Sequence, residues 1–126
     1  MLFAAKAIII KNKKYLLQLR DNKKNIFYPN SWAFFGGEIK KKENAENCLI
    51  RELREELSIN IEIIMKIYEC LNKHNNCYIY YYYVNPIGKI SAKNLAEGQS
   101  LGWFNKNQIR NLKKAQDLKI LYNSLY

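Results

Sequence analysis

Ala45, Leu49, Leu53 and Leu57 recur at every fourth position, with Ile50 beside them, and no other feature of the chain constrains its fold so tightly. The period is that of an amphipathic α-helix with one stripe turned to a core. Asn44 stands in front as an N-cap, because its side-chain oxygen can accept a free backbone N–H of the first turn. A helix with one apolar stripe must bury it against a second layer, and the flanking sequence supplies strands.

Phe3–Ile10 and Tyr15–Arg20 are apolar, strand-like runs separated by KNKK, which predicts a hairpin with a polar turn. DNKKNIFYPN predicts an irregular segment, after which SWAFF resumes an extended course and stops at Gly36–Gly37. Beyond the helix, INIEIIMKIYEC and CYIYYYYVNP read as two strands joined by LNKHNN, with Pro86 closing the second. Tyrosines alternating on a strand suit a pleated, half-buried surface, so they read as packing residues. A short strand around Leu101–Phe104 and a helix over 117–125 complete the order. Strands before, between and after one central helix predict an α/β sandwich on a mixed sheet, and the length predicts a single domain over residues 1–126.

The chain carries a formal charge of +10 with 48% apolar and 13% aromatic residues, the composition of a folded protein whose field favours anionic partners. Its three cysteines, Cys48, Cys70 and Cys77, form no CxxC pair, and no apolar run approaches the roughly 20 residues of a membrane helix. The expectation is a cytoplasmic protein with reduced thiols and no membrane partner.

Against that basic surplus, RELREELSI at Arg51–Ile59 gathers three glutamates. Residues three and four apart share a helix face, so Glu52, Glu55 and Glu56 are expected together while the leucines face the core. Like charges that close repel unless something positive lies among them. Two readings stand on the residues alone. One is a solvated face laced by i,i+4 pairs such as Arg51–Glu55; the other is a site for a hard divalent cation, Mg²⁺ or Mn²⁺, which suits oxygen ligands and couples carboxylates to phosphates.

The order upstream favours the cation. Gly37, five residues, Glu43, seven residues and then Arg51-Glu52-Leu53-Arg54-Glu55-Glu56-Leu57-Ser58-Ile59 resembles the Nudix box, G-x5-E-x7-R-E-U-x-E-E-x-G-U with U aliphatic, and meets eight of its nine fixed positions. Ser58 stands where the pattern has Gly; a left-handed C-cap there should cost on the order of 1 kcal/mol with Ser, or shift the helix end. SWAFFGGEI is similar to the strand entering the box, and EGQSLGWF at 97–104 to the region where MutT-like members supply a further acidic ligand.

Membership of the Nudix hydrolase superfamily, as a small MutT-like protein, would imply a Nudix fold: an α/β/α sandwich around a mixed sheet with a loop–helix–loop catalytic motif. The resemblance implies Gly37, Glu52, Glu55, Glu56 and Glu97 as metal ligands and Glu43 and Arg51 as the pair tying loop to helix. It leaves the base open among Glu52, Glu55 and Glu97. It implies hydrolysis of a nucleoside diphosphate linked to another moiety, with oxidised nucleoside triphosphates among the substrates, by water attack at phosphorus. Arg20 is a candidate phosphate contact, Trp32 a candidate stacking platform and Gln116 a candidate reader of the base edge. The alternatives are an RNA 5′-pyrophosphohydrolase, a dinucleoside polyphosphate hydrolase, or a sensor that binds nucleotide without turnover. Monomer and homodimer are both compatible with the sequence.

Overall fold

In the computed structural model, which describes residues 1–126, the period-four leucines form α1, Ala45–Leu57. Leu49, Leu53 and Leu57 are fully buried, and Asn44 caps the helix, its Oδ1 accepting the Asn47 N–H at 2.7 Å. Ser58 ends it in the left-handed region at φ 55°, donating its N–H to the Arg54 and Leu53 carbonyls. The helix keeps its end where the motif sets it, with serine in a glycine conformation.

The layer under α1 comprises β1 (Leu2–Ile8), β5 (Phe35–Glu38), β6 (Asn60–Asn72) and β7 (Cys77–Ile87), in the order β5-β1-β7-β6. β1 and β7 run parallel and the other pairs antiparallel, so the sheet is mixed. A second sheet forms around β3 (Lys14–Leu19), which pairs with β2 (Ile10–Lys11), β4 (Trp32–Ala33) and β8 (Ser100–Phe104). Side chains alternate across β1 as strand geometry requires. Ala5 and Ala7 join Phe35, Tyr82, Val84 and the α1 leucines, whereas Ala4 and Ile8 join Phe34, Ile79 and Tyr81 on the opposite face. That face is covered by Ile109 of α2 (Lys106–Ile109) and by Leu118 and Leu121 of α3 (Gln116–Tyr122). The result is the α/β/α arrangement the sequence predicts. Its tyrosines do pack: Tyr81 is fully buried and Tyr82 nearly so.

Local details differ from expectation for identifiable reasons. Phe3–Ile10 is not one arm of a hairpin, because the chain leaves the first sheet after Ile8 and only Ile10–Lys11 folds back on β3. Asn12 and Lys13, at φ 53° and 61°, make that turn, both in the positive region a tight hairpin uses. The extended run does not stop at the glycines but passes through them to Glu38, with Gly36 opposite Lys6 of β1. A Cβ on Gly36, which has φ 144°, would lie 2.0 Å from the Ala5 carbonyl oxygen, so glycine lets the strands approach. Pro86 is followed by one more strand residue, beyond the point where β1 stops pairing with β7 at Tyr83. The short helix α2, with its Asn105–Gln108 capping box, adds to the predicted order, and the last helix starts at Gln116 and ends at Tyr122. No helix is long and apolar enough to cross a membrane, and the three cysteines are unpaired.

Candidate active site

The loop between β5 and α1 is held by Arg51. Its Nε and Nη2 donate to the two carboxylate oxygens of Glu43 at 2.7 and 2.9 Å, and Nη2 also donates to the Glu38 carbonyl at 3.1 Å. The Arg51 fork, helped by the Lys40 N–H, holds the Glu43 carboxyl down to about 2. The third nitrogen, Nη1, donates to Glu52 Oε1 at 2.9 Å and to Glu55 Oε2 at 3.3 Å. One guanidinium therefore lies among three carboxylates, and the i,i+4 pair is part of that network.

Glu56 is set apart. Its residue is 5% exposed, and its Oε2 is buried without any hydrogen-bond partner. Burial first, and the adjoining Glu52 carboxylate second, push its carboxyl well above the usual range, with Lys6 acting against them and Glu97 adding to them. Glu55 does not join Glu52 and Glu56 in a single cage, because its side chain is 57% exposed and turns out to Arg51 at the rim. No group of three or more His, Cys, Asp or Glu side chains converges tightly enough to hold a metal alone.

Gly37 abuts Glu52. A Cβ there would lie 2.4 Å from the Glu52 carboxyl atoms, so the absent side chain is the space the carboxylate occupies. The Gly37 carbonyl oxygen accepts the Cys48 thiol at 3.5 Å. Glu97 is brought alongside by two ties: the Ala96 N–H donates to the Glu56 carbonyl at 3.0 Å and the Gly98 N–H to Asp21 Oδ2 at 3.3 Å. Glu52, Glu55, Glu56, Glu97, Gly37 and Arg51 line one polar cleft of 540 Å³.

Arg20 lines this cleft too, its Nε donating to the Phe27 carbonyl at 3.0 Å. It also lines a smaller cavity of 190 Å³ that shares Gly36, Gly37 and Glu38 with the cleft. Apolar walls from Phe3, Phe27, Tyr28 and Ile79 meet Lys6 and Asp117 there. Trp32 and Gln116 line neither space. The Trp32 ring packs edge-on against Phe104 at 4.7 Å, and Gln116 opens α3 one residue before the buried Asp117. Lys6 and Asp117 were missed by sequence reasoning. For Lys6 the available signal was a lone charge inside an otherwise apolar run, AAKAIII; Asp117, in AQDLKIL with Gln116 and Lys119 beside it, carried none.

A hard divalent cation fits these residues. Every available donor is a carboxylate or carbonyl oxygen, Glu52 Oε2 takes no hydrogen bond, and Glu56 Oε2 is a desolvated acceptor with nothing to accept from.

The sequence matches the NUDIX domain family over residues 1–124. No curated protein matches it. Its fold is shared with the Escherichia coli ORF135 protein, at a TM-score of 0.81 and 24% identity over 98% of this chain and 86% of that one. A MutT NUDIX hydrolase from Burkholderia pseudomallei superposes with a TM-score of 0.75 at 19% identity, covering 99% of this chain and 98% of its own. An ADP-ribose pyrophosphatase from Streptococcus suis does so at 0.70 and 17%, covering 98% and 90%. At these identities the likeness is one of fold.

Proposed function

This chain belongs to the NUDIX hydrolase family, and from that premise we propose that it is a metal-dependent pyrophosphohydrolase acting on a nucleoside diphosphate linked to another moiety. The observation that carries the reading is the orphaned Glu56 Oε2, buried beside Glu52 in a cleft that Arg20 also lines. A protein with no cation to bind would gain by replacing Glu56, since burying its carboxyl beside Glu52 either leaves a costly desolvated charge or forces a proton onto it.

Magnesium or manganese held by Glu52 and Glu56, with Glu97 and the Gly37 carbonyl as further oxygen donors, would supply positive charge to the diphosphate and make water more acidic. The chain's own residues do the positioning. Arg51 is saturated by Glu43, Glu52, Glu55 and the Glu38 carbonyl, so it orients Glu52 and holds the loop against the helix instead of reaching substrate. Arg20 spans the cleft and the cavity and can fork onto phosphate oxygens. Of the four glutamates Glu52, Glu55, Glu56 and Glu97, Glu55 and Glu97 are neither buried nor packed on Gly37, and so are the candidates to take a proton from water.

The test is a panel of nucleoside triphosphates, nucleotide sugars, dinucleoside polyphosphates and 5′-triphosphorylated RNA, scored for release with and without Mg²⁺ or Mn²⁺. Turnover of at least one, abolished by Glu56→Gln, is expected. Tight nucleotide binding without turnover would favour a sensor, and a Glu56→Gln protein as active as the parent would displace the site.

A further inference from the structure

Phe3 and Leu71 are 43% and 39% exposed, and neither belongs to the two apolar clusters that fill the core; nor does the half-buried Tyr78 between them. The three lie in one row across the first sheet. Tyr78 of β7 pairs with Phe3 of β1 on one side and with Leu71 of β6 on the other, and the Ile39 N–H, just past β5, donates to the Phe3 carbonyl at 2.8 Å. Strand alternation puts Phe3 and Tyr78 on the face of Ala5, Tyr80 and Tyr82, which the α1 leucines cover further along. The helix begins only at Ala45, and the outer row stays uncovered. Its rings are angled to one another, Phe3 and Tyr78 at 6.4 Å between centres and Tyr78 and Tyr80 at 5.2 Å.

Lysines frame the row. Lys66 Nζ stands 5.8 Å from the centre of the Tyr80 ring, and a groove of 520 Å³ between the row and the start of α1 is lined by Phe3, Ile39, Tyr80, Lys40 and Lys41. Glu43, which also lines it, is neutralised by Arg51, and Glu69 by Lys66. Lys40 lines the carboxylate cleft as well, so groove and cleft adjoin there.

From this juxtaposition we infer that the row is a platform for single-stranded RNA, whose bases stack on Tyr78 and Phe3 while Lys40 and Lys41 meet its phosphates. Aromatic side chains on an open sheet face with cations alongside suit a strand whose unpaired bases offer π-faces and whose backbone is anionic. A second copy of this chain would bring a like charge of +10 to the same surface. The seating of the strand's 5′ end in the cleft rests on the proposed hydrolysis of a nucleoside diphosphate derivative. Of the two nucleic acids, RNA is the one whose chains are begun with a free nucleoside triphosphate, and the bases that follow reach the platform past Lys40.

The test takes the whole protein without metal and reads, by anisotropy, its binding of a labelled oligoadenylate of about eight nucleotides ending in a 5′-hydroxyl. Tyr78→Leu should weaken binding about fivefold or more, the effect of losing one stacked base, and Tyr78→Phe, which keeps the ring, less than about twofold. Both variants lose the bond from the Tyr78 hydroxyl to Glu69 at 2.9 Å, so a merely structural effect would appear in both. Lys41→Gln should lower the slope of log Kd against log salt by about 0.7. Equal weakening by the two Tyr78 substitutions, no weakening by either, or no binding by the parent overturns the inference. Equal affinity for DNA of the same sequence overturns the assignment to RNA, and a parent that ignores RNA but binds phosphatidylserine vesicles through Tyr78 has a membrane surface there instead. With Mg²⁺ or Mn²⁺, the 5′-triphosphorylated strand should be hydrolysed with kcat/KM at least about tenfold above that for a nucleoside triphosphate, a preference that Tyr78→Leu erases. A parent that binds the RNA but hydrolyses nothing refutes the proposed hydrolysis and the seating of the 5′ end while sustaining the platform; one that hydrolyses nucleotides but binds no RNA refutes the platform alone.

Discussion

Arg51 and Glu43, eight residues apart, are joined by two parallel N–H···O bonds of 2.7 and 2.9 Å that fasten the entry loop to the first helix. The Glu43 carboxyl is held down to about 2 against an ordinary 4.5, by Arg51 first and the Lys40 N–H second. A depressed carboxyl contributes stability that is present above 4.5 and lost as pH falls toward 2. Glu43→Gln should destabilise the protein by about 1–3 kcal/mol at neutral pH. The gap between variant and parent should close on acidification through that window. Urea unfolding at pH 7 and pH 3 measures it, and a gap that persists unchanged at pH 3 would assign the loss to packing.

The two adjacent glycines of β5 should fail differently. Alanine at Gly36 places its Cβ 2.0 Å from a backbone carbonyl of β1, where nothing can rotate away, so Gly36→Ala should cost about 3 kcal/mol or more and yield little folded protein. Alanine at Gly37 meets only the end of the Glu52 side chain at 2.4 Å, which can swing aside. Gly37→Ala should stay folded while displaced Glu52 lowers hydrolysis about 100-fold. Thermal unfolding read beside turnover distinguishes the two, and a Gly37→Ala protein of parental activity would show that Glu52 needs no fixed position.

Ser58 occupies a left-handed conformation that costs an L-residue about 1 kcal/mol and glycine almost nothing. Ser58→Gly should raise stability by up to about 1 kcal/mol, less the extra entropy glycine gives the unfolded chain. Denaturant midpoints of the two proteins measure the balance. A clear destabilisation would mean that the serine hydroxyl contributes an interaction the cap geometry does not reveal.

The helix, its cap and its carboxylates were legible because each is local: a period of four, an Asn before it, a fixed spacing of Glu and Arg. Legibility failed where partners are far apart in sequence. Glu55 was expected beside Glu56, but its side chain follows Arg51 outward, a choice made by the loop that Glu43 anchors. Gln116, the candidate reader of a base edge, opens α3 outside both the cleft and the smaller cavity, whereas Asp117 beside it is buried and its partner Lys6 lies on the first strand. Gly36 looked like a strand end because its reason for being glycine is a carbonyl on β1, visible only once register is known.

The most direct test of the cleft is thermodynamic. Burial, then Glu52, raises the Glu56 carboxyl from 4.5 to about 8, so the folded metal-free protein binds a proton there that the unfolded chain releases. Stability from a raised carboxyl is fully present below 4.5 and is lost as pH rises through about 8. Without metal, Glu56→Gln should therefore match the parent near pH 5 and exceed it at pH 8.5, because the amide needs no counterion. Saturating Mg²⁺ or Mn²⁺ should reverse the order at pH 8.5, stabilising the parent by an amount that grows with the logarithm of ion concentration over Kd and leaving Glu56→Gln nearly unmoved. Melting temperatures of the two proteins with and without the ion decide it. A parent that gains nothing from either ion would leave the buried carboxylate without its counter-charge and would remove the support for a cation at Glu52 and Glu56.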